Sequence, residues 1–456
     1  MKTIKDKKIA IIGFGKEGVS AANFLGSENQ IIIIDQKSKE AIDNVFFKSL
    51  NIKRFEFFQI QNVPSGLKVD YIVRSPGVRP DDNTILNLKK NGAQLTSPTK
   101  IFFDLCQSEI IGVTGTKGKG TTVTLIYEML KSQINNVFLA GNIGTPALEI
   151  LPKVDRQSIV ILELSSFQLI DLKKSPHIAV ILMITSEHLD WHQDTPEYRR
   201  AKESIVSFQN ENDFAIINQD FEVSGNFAQR TKAKVYFIST KQKTNGVYLE
   251  SDSILSEIGK SEEICKTSQI LLPGAHNLQN VLAAVACAKI YNIKTKNITL
   301  VLKTFKGLVH RLQLVREFKN IKFYNDSFST IPETTVAAIE AFRQPKILIL
   351  GGSSKNSDFS LLAQEINQNK SIKAIILVGQ EATRIKKAIA KSGGTDAKII
   401  EGANNMHQII SRAYQEAKSG DVVILSPACA SFDMFKNYQD RGMQFIKEVQ
   451  NLKKKL

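Results

Sequence analysis

Lys119 stands in the string GVTGTKGKGTT, Gly112 to Thr122, after the apolar run Ile110 to Val113 and ahead of the helix-like TVTLIYEMLK. Strand, glycine-rich loop and helix in that order suit an anion. Glycines let backbone N–H groups crowd around a phosphate, and the helix N-terminus adds partial positive charge. A lysine at position 119 would reach the outer phosphates. The spacing departs from G-x-x-x-x-G-K-[ST], because residue 113 is Val and Gly120 stands where a hydroxyl is usual. On these residues alone, a glycine-rich turn that binds nothing stays open as the alternative.

Four other groupings invite chemistry. Gly13, Gly15 and Gly18 form G-x-G-x-x-G after an apolar run, and Asp35 closes the next one, at the roughly 20-residue offset where an acid holds a ribose or base. Glu163 ends the apolar run IVILE; an unpaired buried carboxylate is costly, so a metal or a phosphate-bound water is its expected partner. His188 and His192 have the H-x-x-x-H spacing of two ligands on one helix face, without the Glu that zinc hydrolases place after the first His. A zinc hydrolase is therefore not expected, and a satisfied structural histidine is the default reading, with a ligand role on spacing as the alternative. Asn277 and Asn280 lie three apart near the start of a long helical pattern, where they would read a base edge or cap the helix.

Such residues need rigid elements to hold them. Apolar runs alternate with helical patterns along the whole chain, which predicts parallel, doubly wound sheets with the polar residues at the strand C-terminal ends. With 456 residues the chain exceeds one core of roughly 100–200 residues, and three α/β units in series account for it. The first is half the length of a full dinucleotide fold, which argues against NAD and for a mononucleotide or UDP. Residues 211–272 read as short strands decorating the second unit. Cysteines 106, 265, 287 and 429 form no C-x-x-C pair, so no zinc knuckle or disulfide framework is expected. No apolar stretch reaches the roughly 18 residues of a membrane span, which together with the cysteine usage predicts a cytoplasmic protein. The net charge of +15 is spread among scattered lysines, with the terminal KKKL as one cluster. Without aromatic interleaving this favours solvated lysine faces over a single-strand nucleic-acid binder and suits anionic substrates equally.

The strings GTKGKGTT, GNIG, LELSSFQL, EHLDWH followed by YRRAK, HNLQN, HRLQ, NDS and SPACASFDMFKNYQDRG occur in the order seen in the Mur ligases. The chain resembles that family over nearly all its length, and most of all the members that join glutamate to UDP-N-acetylmuramoyl-L-alanine. The resemblance implies an α/β fold of three domains. Residues 1–97 would form a Rossmann-like domain for the UDP end, 98–307 a central P-loop ATPase-type parallel-sheet domain, and 308–456 a C-terminal Rossmann-like glutamate domain. It implies ATP-dependent amide formation through an acyl phosphate in peptidoglycan synthesis, hence cell wall biogenesis, cell shape and cell division, by a cytoplasmic monomer.

Site residues carry over position by position. ATP would lie on Gly115, Thr116, Lys117, Gly118, Lys119, Gly120, Thr121 and Thr122, with Asn277 and Asn280 near the base, Arg311 near the phosphates and Asp326 at the ribose. Catalysis would rest on Lys119, Glu163, His188 and Lys202. Mg²⁺ would be held by Thr121, Glu163, His188 and Lys202, the last carbamylated. Gly15, Asp35, Ser75, Pro76 and Gly77 would hold the UDP end, and Asn142, Ser165 and Gln168 the sugar and peptide end. Thr330, Lys355, Ser431 and Tyr438 would meet the glutamate. Two positions depart from the family: Phe328 replaces the usual Lys after NDS, and Tyr438 replaces a Phe. They lie in the ATP and glutamate region and leave D- against L-glutamate open.

Overall fold

The computed structural model describes residues 4–453, so of the terminal KKKL only Lys453 falls within the described residues. The chain forms two compact units, Met1–Thr267 with Gln279–Val301, and Ser268–Leu278 with Leu302–Leu456. Their α/β character follows directly from the apolar runs. Ile31, Ile32, Ile33 and Ile34 are all buried to 1% or less, as expected for a β-branched run covered on both faces of a parallel sheet. Each contributes roughly 2 kcal/mol relative to an exposed side chain.

The first unit holds two sheets. One has five parallel strands in the order Glu56–Gln59, Gln30–Asp35, Lys8–Ile12, Tyr71–Arg74, Gln94–Thr96. The central strand Lys8–Ile12 runs straight into the first glycine loop, and a one-residue slip in its register would reverse every inward side chain. The other sheet has nine strands, and at one end of it lie Ile178–Ile181, Glu109–Thr114, Ile159–Glu163 and, at the edge, Val137–Gly141, all parallel. One apolar cluster runs from Ile9 and Ile11 through Phe102 and Phe103 to Leu162, Leu164 and Tyr198, which joins both sheets into a single unit.

Residues 211–272 depart from the sequence reading. They do not decorate the sheet but extend it, with Phe214–Asn218, Lys234–Ser239 and Val247–Glu250 adding in parallel and Ser253–Ser256 and Glu262–Lys266 antiparallel at the edge. Ile216, Ile217 and Ile238 are fully buried, and such burial is what a strand internal to the sheet provides.

The second unit is a six-stranded sheet, Gln313–Phe318, Ile321–Asn325, Val422–Leu425, Lys346–Gly351, Ile372–Val378, Lys398–Ile400, with only the first strand antiparallel. Lys319 and Asn320 turn the first hairpin with φ of 51° and 61°, the double positive φ that matches strand twist. Along Lys346–Gly351, Leu348 and Leu350 enter one core and Ile347 and Ile349 the other, the period-two alternation of a sheet covered on both sides.

Candidate active site

The phosphate loop leaves the strand Glu109–Thr114 and enters the helix Lys119–Lys131. Gly118 there has φ of +88°, and a Cβ on it would lie 2.3 Å from Asn280 Oδ1, so only glycine fits. Thr116 anchors the loop: its N–H donates to the Met183 carbonyl at 2.7 Å, and its hydroxyl lies 2.9 Å from Tyr198 Oη and accepts from the Thr185 N–H at 2.9 Å. Lys117 pairs with Glu187 at its rim. Lys119 Nζ folds back to donate to the Gly115 and Thr116 carbonyls at 2.9 and 3.0 Å.

Lys202 comes from the helix Thr195–Ser207, started by Asp194, whose carboxylate accepts from the Glu197 N–H, and by Pro196. Its Nζ donates to the same Gly115 carbonyl at 3.0 Å and to Thr114 Oγ1 at 3.3 Å. Two lysines thus share one carbonyl at the head of the loop. Lys202 is 1% exposed. Burial, and after it the neighbouring Lys119 charge, hold its ammonium well below the usual lysine range. An uncharged amine is nucleophilic and open to carbamylation.

Glu163 lies beside Val113 and Gly141 in the sheet register, 5% exposed. The sequence reading expected a metal or water as its partner. The structure supplies Asn142, whose Nδ2 donates to Oε1 at 2.9 Å. Glu163 keeps further lone pairs beside the loop, Thr121 stands in the first turn of the helix Lys119–Lys131, and burial lowers the pKa of Lys202. This donor chemistry, hard oxygens around a phosphate site, fits Mg²⁺ completed by phosphate and water. Among the described residues no group of three or more His, Cys, Asp or Glu gathers as a metal site.

The helix that the H-x-x-x-H spacing of His188 and His192 would need is not formed. They lie in a turn: His188 has φ of 59°, and its carbonyl accepts from Trp191 N–H and His192 N–H at 3.0 and 2.9 Å. Both rings pack on Phe167, at 4.8 and 5.7 Å. His188 remains half-exposed, its ring 4.8 Å from Phe167. His192 is buried between Ser166 Oγ at 2.9 Å and Glu197 at 3.2 Å, the satisfied structural histidine; burial lowers its pKa.

At the first glycine loop, Asp35 holds the loop itself. Its carboxylate accepts from Phe14 N–H at 2.7 Å and Lys37 N–H at 2.9 Å. Ser75 Oγ donates to the Gly13 carbonyl at 2.6 Å, and Gly18 packs so closely that a Cβ would lie 2.3 Å from that oxygen. Gly15 caps the helix Lys16–Leu25 with open space around it. Pro76 and Gly77 present carbonyls that accept from Arg74 and Trp191. Ser165 and Gln168 cap one another at the start of Ser166–Leu169.

Asn277 and Asn280 sit on the helix Ala275–Ile290, both 5% exposed. Neither is an N-cap. Asn277 Nδ2 donates to the Pro273 carbonyl at 2.6 Å, and Asn280 Oδ1 accepts from the Thr122 hydroxyl at 3.3 Å. They belong to different units, and Asn280 is tied to the phosphate-loop helix through Thr122.

In the second unit Asp326 is enclosed. It accepts from Leu312 N–H at 3.0 Å and from the Ser329 and Ser426 hydroxyls at 2.5 and 2.7 Å, and burial pushes its pKa up to about 6 against those bonds. Lys355 Nζ donates to Thr330 Oγ1 at 3.3 Å, which brings two of the expected glutamate residues together. Ser431 is buried, its carbonyl accepting from Met434 and Phe435 N–H. The two departing positions touch: the Phe328 ring meets Tyr438 edge-on at 5.2 Å and carries the Arg311 guanidinium 3.9 Å over its face. An aromatic face in place of a lysine still presents a cation, because it holds Arg311.

Sequence reasoning missed Tyr198, Arg79, Glu197 and Arg441. Arg441 is buried and donates to Ser327 Oγ and to the Cys429 and Ala430 carbonyls; its only signal was the string SPACASFDMFKNYQDRG.

Fold and loop together define an α/β protein built to hold phosphate at the head of a helix. Residues 113–288 match the Mur ligase middle domain and residues 310–429 the Mur ligase glutamate ligase domain. A protein of Acetivibrio thermocellus named UDP-N-acetylmuramoylalanine--D-glutamate ligase is 38% identical, with 99% of this chain and 97% of that protein covered. Its namesake from Clostridioides difficile is 35% identical over 99% of this chain and all of that one. Among solved structures, the Thermotoga maritima UDP-N-acetylmuramate-alanine ligase shares the fold at TM-score 0.60 and 18% identity, over 98% of this chain and 100% of that one. The MurF ligase of the same organism, in complex with ADP, does so at 0.57 and 17%, over 98% and 96%. The chain belongs to the Mur ligase family.

Proposed function

We propose that this chain is an ATP-dependent ligase that adds D-glutamate to UDP-N-acetylmuramoyl-L-alanine in peptidoglycan synthesis. The names of relatives 35–38% identical over the whole chain support the substrates. The observation that carries the chemistry is the pair Lys119 and Lys202 on one loop carbonyl. In this reading the substrate carboxylate attacks the γ-phosphorus of ATP and releases ADP. The glutamate amine then attacks the acyl phosphate and expels inorganic phosphate as the amide forms.

Bringing two anions together needs fixed positive charge. Lys119 leaves the Gly115 and Thr116 carbonyls for the phosphates, and the loop N–H groups take the remaining charge. Mg²⁺, held by Glu163, Thr121, His188 and carbamylated Lys202, would neutralise phosphate oxygens. Asn142 orients the Glu163 carboxylate. Ser75, Pro76 and Gly77 with Gly15 receive the UDP end. Lys355 and Thr330 receive a carboxylate of the glutamate, and Arg311, laid on Phe328, faces a further anion. The same reading places the enzyme in the cytoplasm as a monomer, with a part in cell wall biogenesis, cell shape and division. Among the described residues no helix is long and apolar enough to cross a membrane.

Phosphate release from ATP, measured with each substrate omitted in turn, tests the proposal. Release should require UDP-N-acetylmuramoyl-L-alanine together with D-glutamate and should be weak with L-glutamate. ATP turnover indifferent to both substrates would sink it.

A further inference from the structure

The turn Ser75–Pro76–Gly77 and the loop of His188 are joined by a continuous polar chain. Trp191, the only tryptophan of the protein, donates its indole N–H to the Gly77 carbonyl at 2.7 Å. Arg79 lies 5.1 Å from the centre of the same indole and donates to the Trp191 carbonyl at 2.6 Å. Its fork grips both Glu197 oxygens at 3.0 and 3.1 Å, with Asp81 on Nε at 2.8 Å. Glu197 also accepts from Gln193 N–H at 2.9 Å and meets His192 Nδ1 at 3.2 Å, and His192 Nε2 reaches Ser166 Oγ at 2.9 Å.

A second tie runs parallel to the first. Arg74, fully buried, donates to the Pro76 and Val78 carbonyls at 3.2 and 2.7 Å and, through its other nitrogen, to the Phe167 carbonyl at 3.0 Å and Asp171 at 2.8 Å. The Phe167 ring packs on His188, Trp191 and His192 at 4.8, 4.5 and 5.7 Å. Glu197 stands in the first turn of the helix that brings Tyr198 and Lys202 to the phosphate loop.

Apolar packing alone could brace two sheets, and a desolvated ion pair adds little net stability there. What a bidentate Arg–carboxylate pair adds is direction: a planar fork fixes both partners in one geometry. Here the fixed geometry ends at a candidate substrate turn on one side and at His188 and Ser166 on the other.

We propose that Arg79, Glu197 and His192 are positioning residues forming a strut, so that a uridine diphosphate seated on the turn 75–77 sets the His188 ring and the Ser165–Ser166 segment before phosphoryl transfer. The inference rests on the reading of that turn as the UDP site. It predicts that the two ends report on each other, and Trp191 supplies the reporter.

Titration of the full chain with UDP-N-acetylmuramoyl-L-alanine, followed by Trp191 emission and in parallel by calorimetry, tests the strut. Emission should change saturably with the calorimetric Kd. Glu197→Gln should keep that Kd within roughly 3-fold while kcat falls roughly 10-fold or more, since a small misplacement of reacting groups costs rate rather than binding. Arg79→Lys, which keeps the charge and loses the fork, should lose less in the same direction; it carries the test if Glu197→Gln does not fold. Calorimetric binding with unchanged Trp191 emission overturns the strut and leaves the UDP reading standing. A loss confined to KM also overturns it, because the residues would then brace the binding turn alone. Absence of any calorimetric binding overturns the UDP reading and the strut together.

Discussion

The two glycine-rich loops of the first unit join a buried parallel strand to a helix in the same way, and the proposed function gives them opposite ends of one reaction. At Gly13 to Gly18 the loop is held by an acid, Asp35, through the Phe14 N–H, and its helix begins with Lys16 followed by Glu17. At Gly115 to Lys119 the loop is held by a threonine on a tyrosine, and its helix begins with a lysine backed by a second one. The geometry provides an anion seat in both cases. Both helices begin with a lysine, and at the second that lysine folds onto the loop carbonyls with Lys202 beside it, a gathering of cationic side chains that suits transfer of a phosphoryl group more than recognition of an intact diphosphate. In the proposed function, then, loop shape suits holding phosphate, and the side chains around it distinguish holding from transfer.

The comparison can be broken most severely at Lys119. Lys119→Ala should lower kcat by roughly 10³-fold or more, as expected for removal of a principal transition-state charge, measured as product formation. Activity within a few-fold of wild type would place the transfer charge elsewhere. Lys202→Ala should cost roughly 10²-fold, with partial recovery on adding short-chain carboxylic acids, which supply the oxygen a carbamate would provide. No recovery at any carboxylate concentration would make Lys202 a structural amine.

The first loop should respond in binding and not in rate. Asp35→Ala frees the Phe14 N–H and should raise KM for the UDP substrate roughly 10-fold, the loss of one charge-assisted hydrogen bond, with KM for ATP unchanged. An equal change in both would erase the distinction between the loops. The smallest effect concerns Glu17, whose carboxyl is pushed up to about 7 by burial and then by Glu149. Because the folded state binds this proton more tightly than the unfolded chain, stability falls as pH rises from about 4.5 through about 7 and levels beyond. Glu17→Gln should flatten that part of the Tm against pH profile; an unchanged profile would show that Glu17 is solvated.

Much of the architecture was legible because it is written locally. The runs around Ile31, Ile161 and Leu348 announce buried strands, and the glycines before Lys16 and Lys119 announce loops ahead of helices. Residues 211–272 were misread because short amphipathic strands look alike whether they lie on a sheet or extend it; the burial of Ile216 and Ile238 decides. The spacing of the histidine pair was uninformative for a related reason. Spacing assumes a helix, and the positive φ of His188 shows that the chain turns instead.

What the sequence determined by itself is the order of strands and helices, the two glycine loops and the position of Lys119, since each depends on neighbours a few residues away. Tertiary structure alone decided which distant groups meet: Lys202 beside Gly115, Glu197 in the fork of Arg79, Arg311 on Phe328. Such contacts depend on how sheets and helices pack, and the sequence separation between their partners, 87 residues for the first and 118 for the second, leaves no periodicity to read. The depressed pKa of Lys202 belongs with them, because only folding removes its water and brings Lys119 to its side.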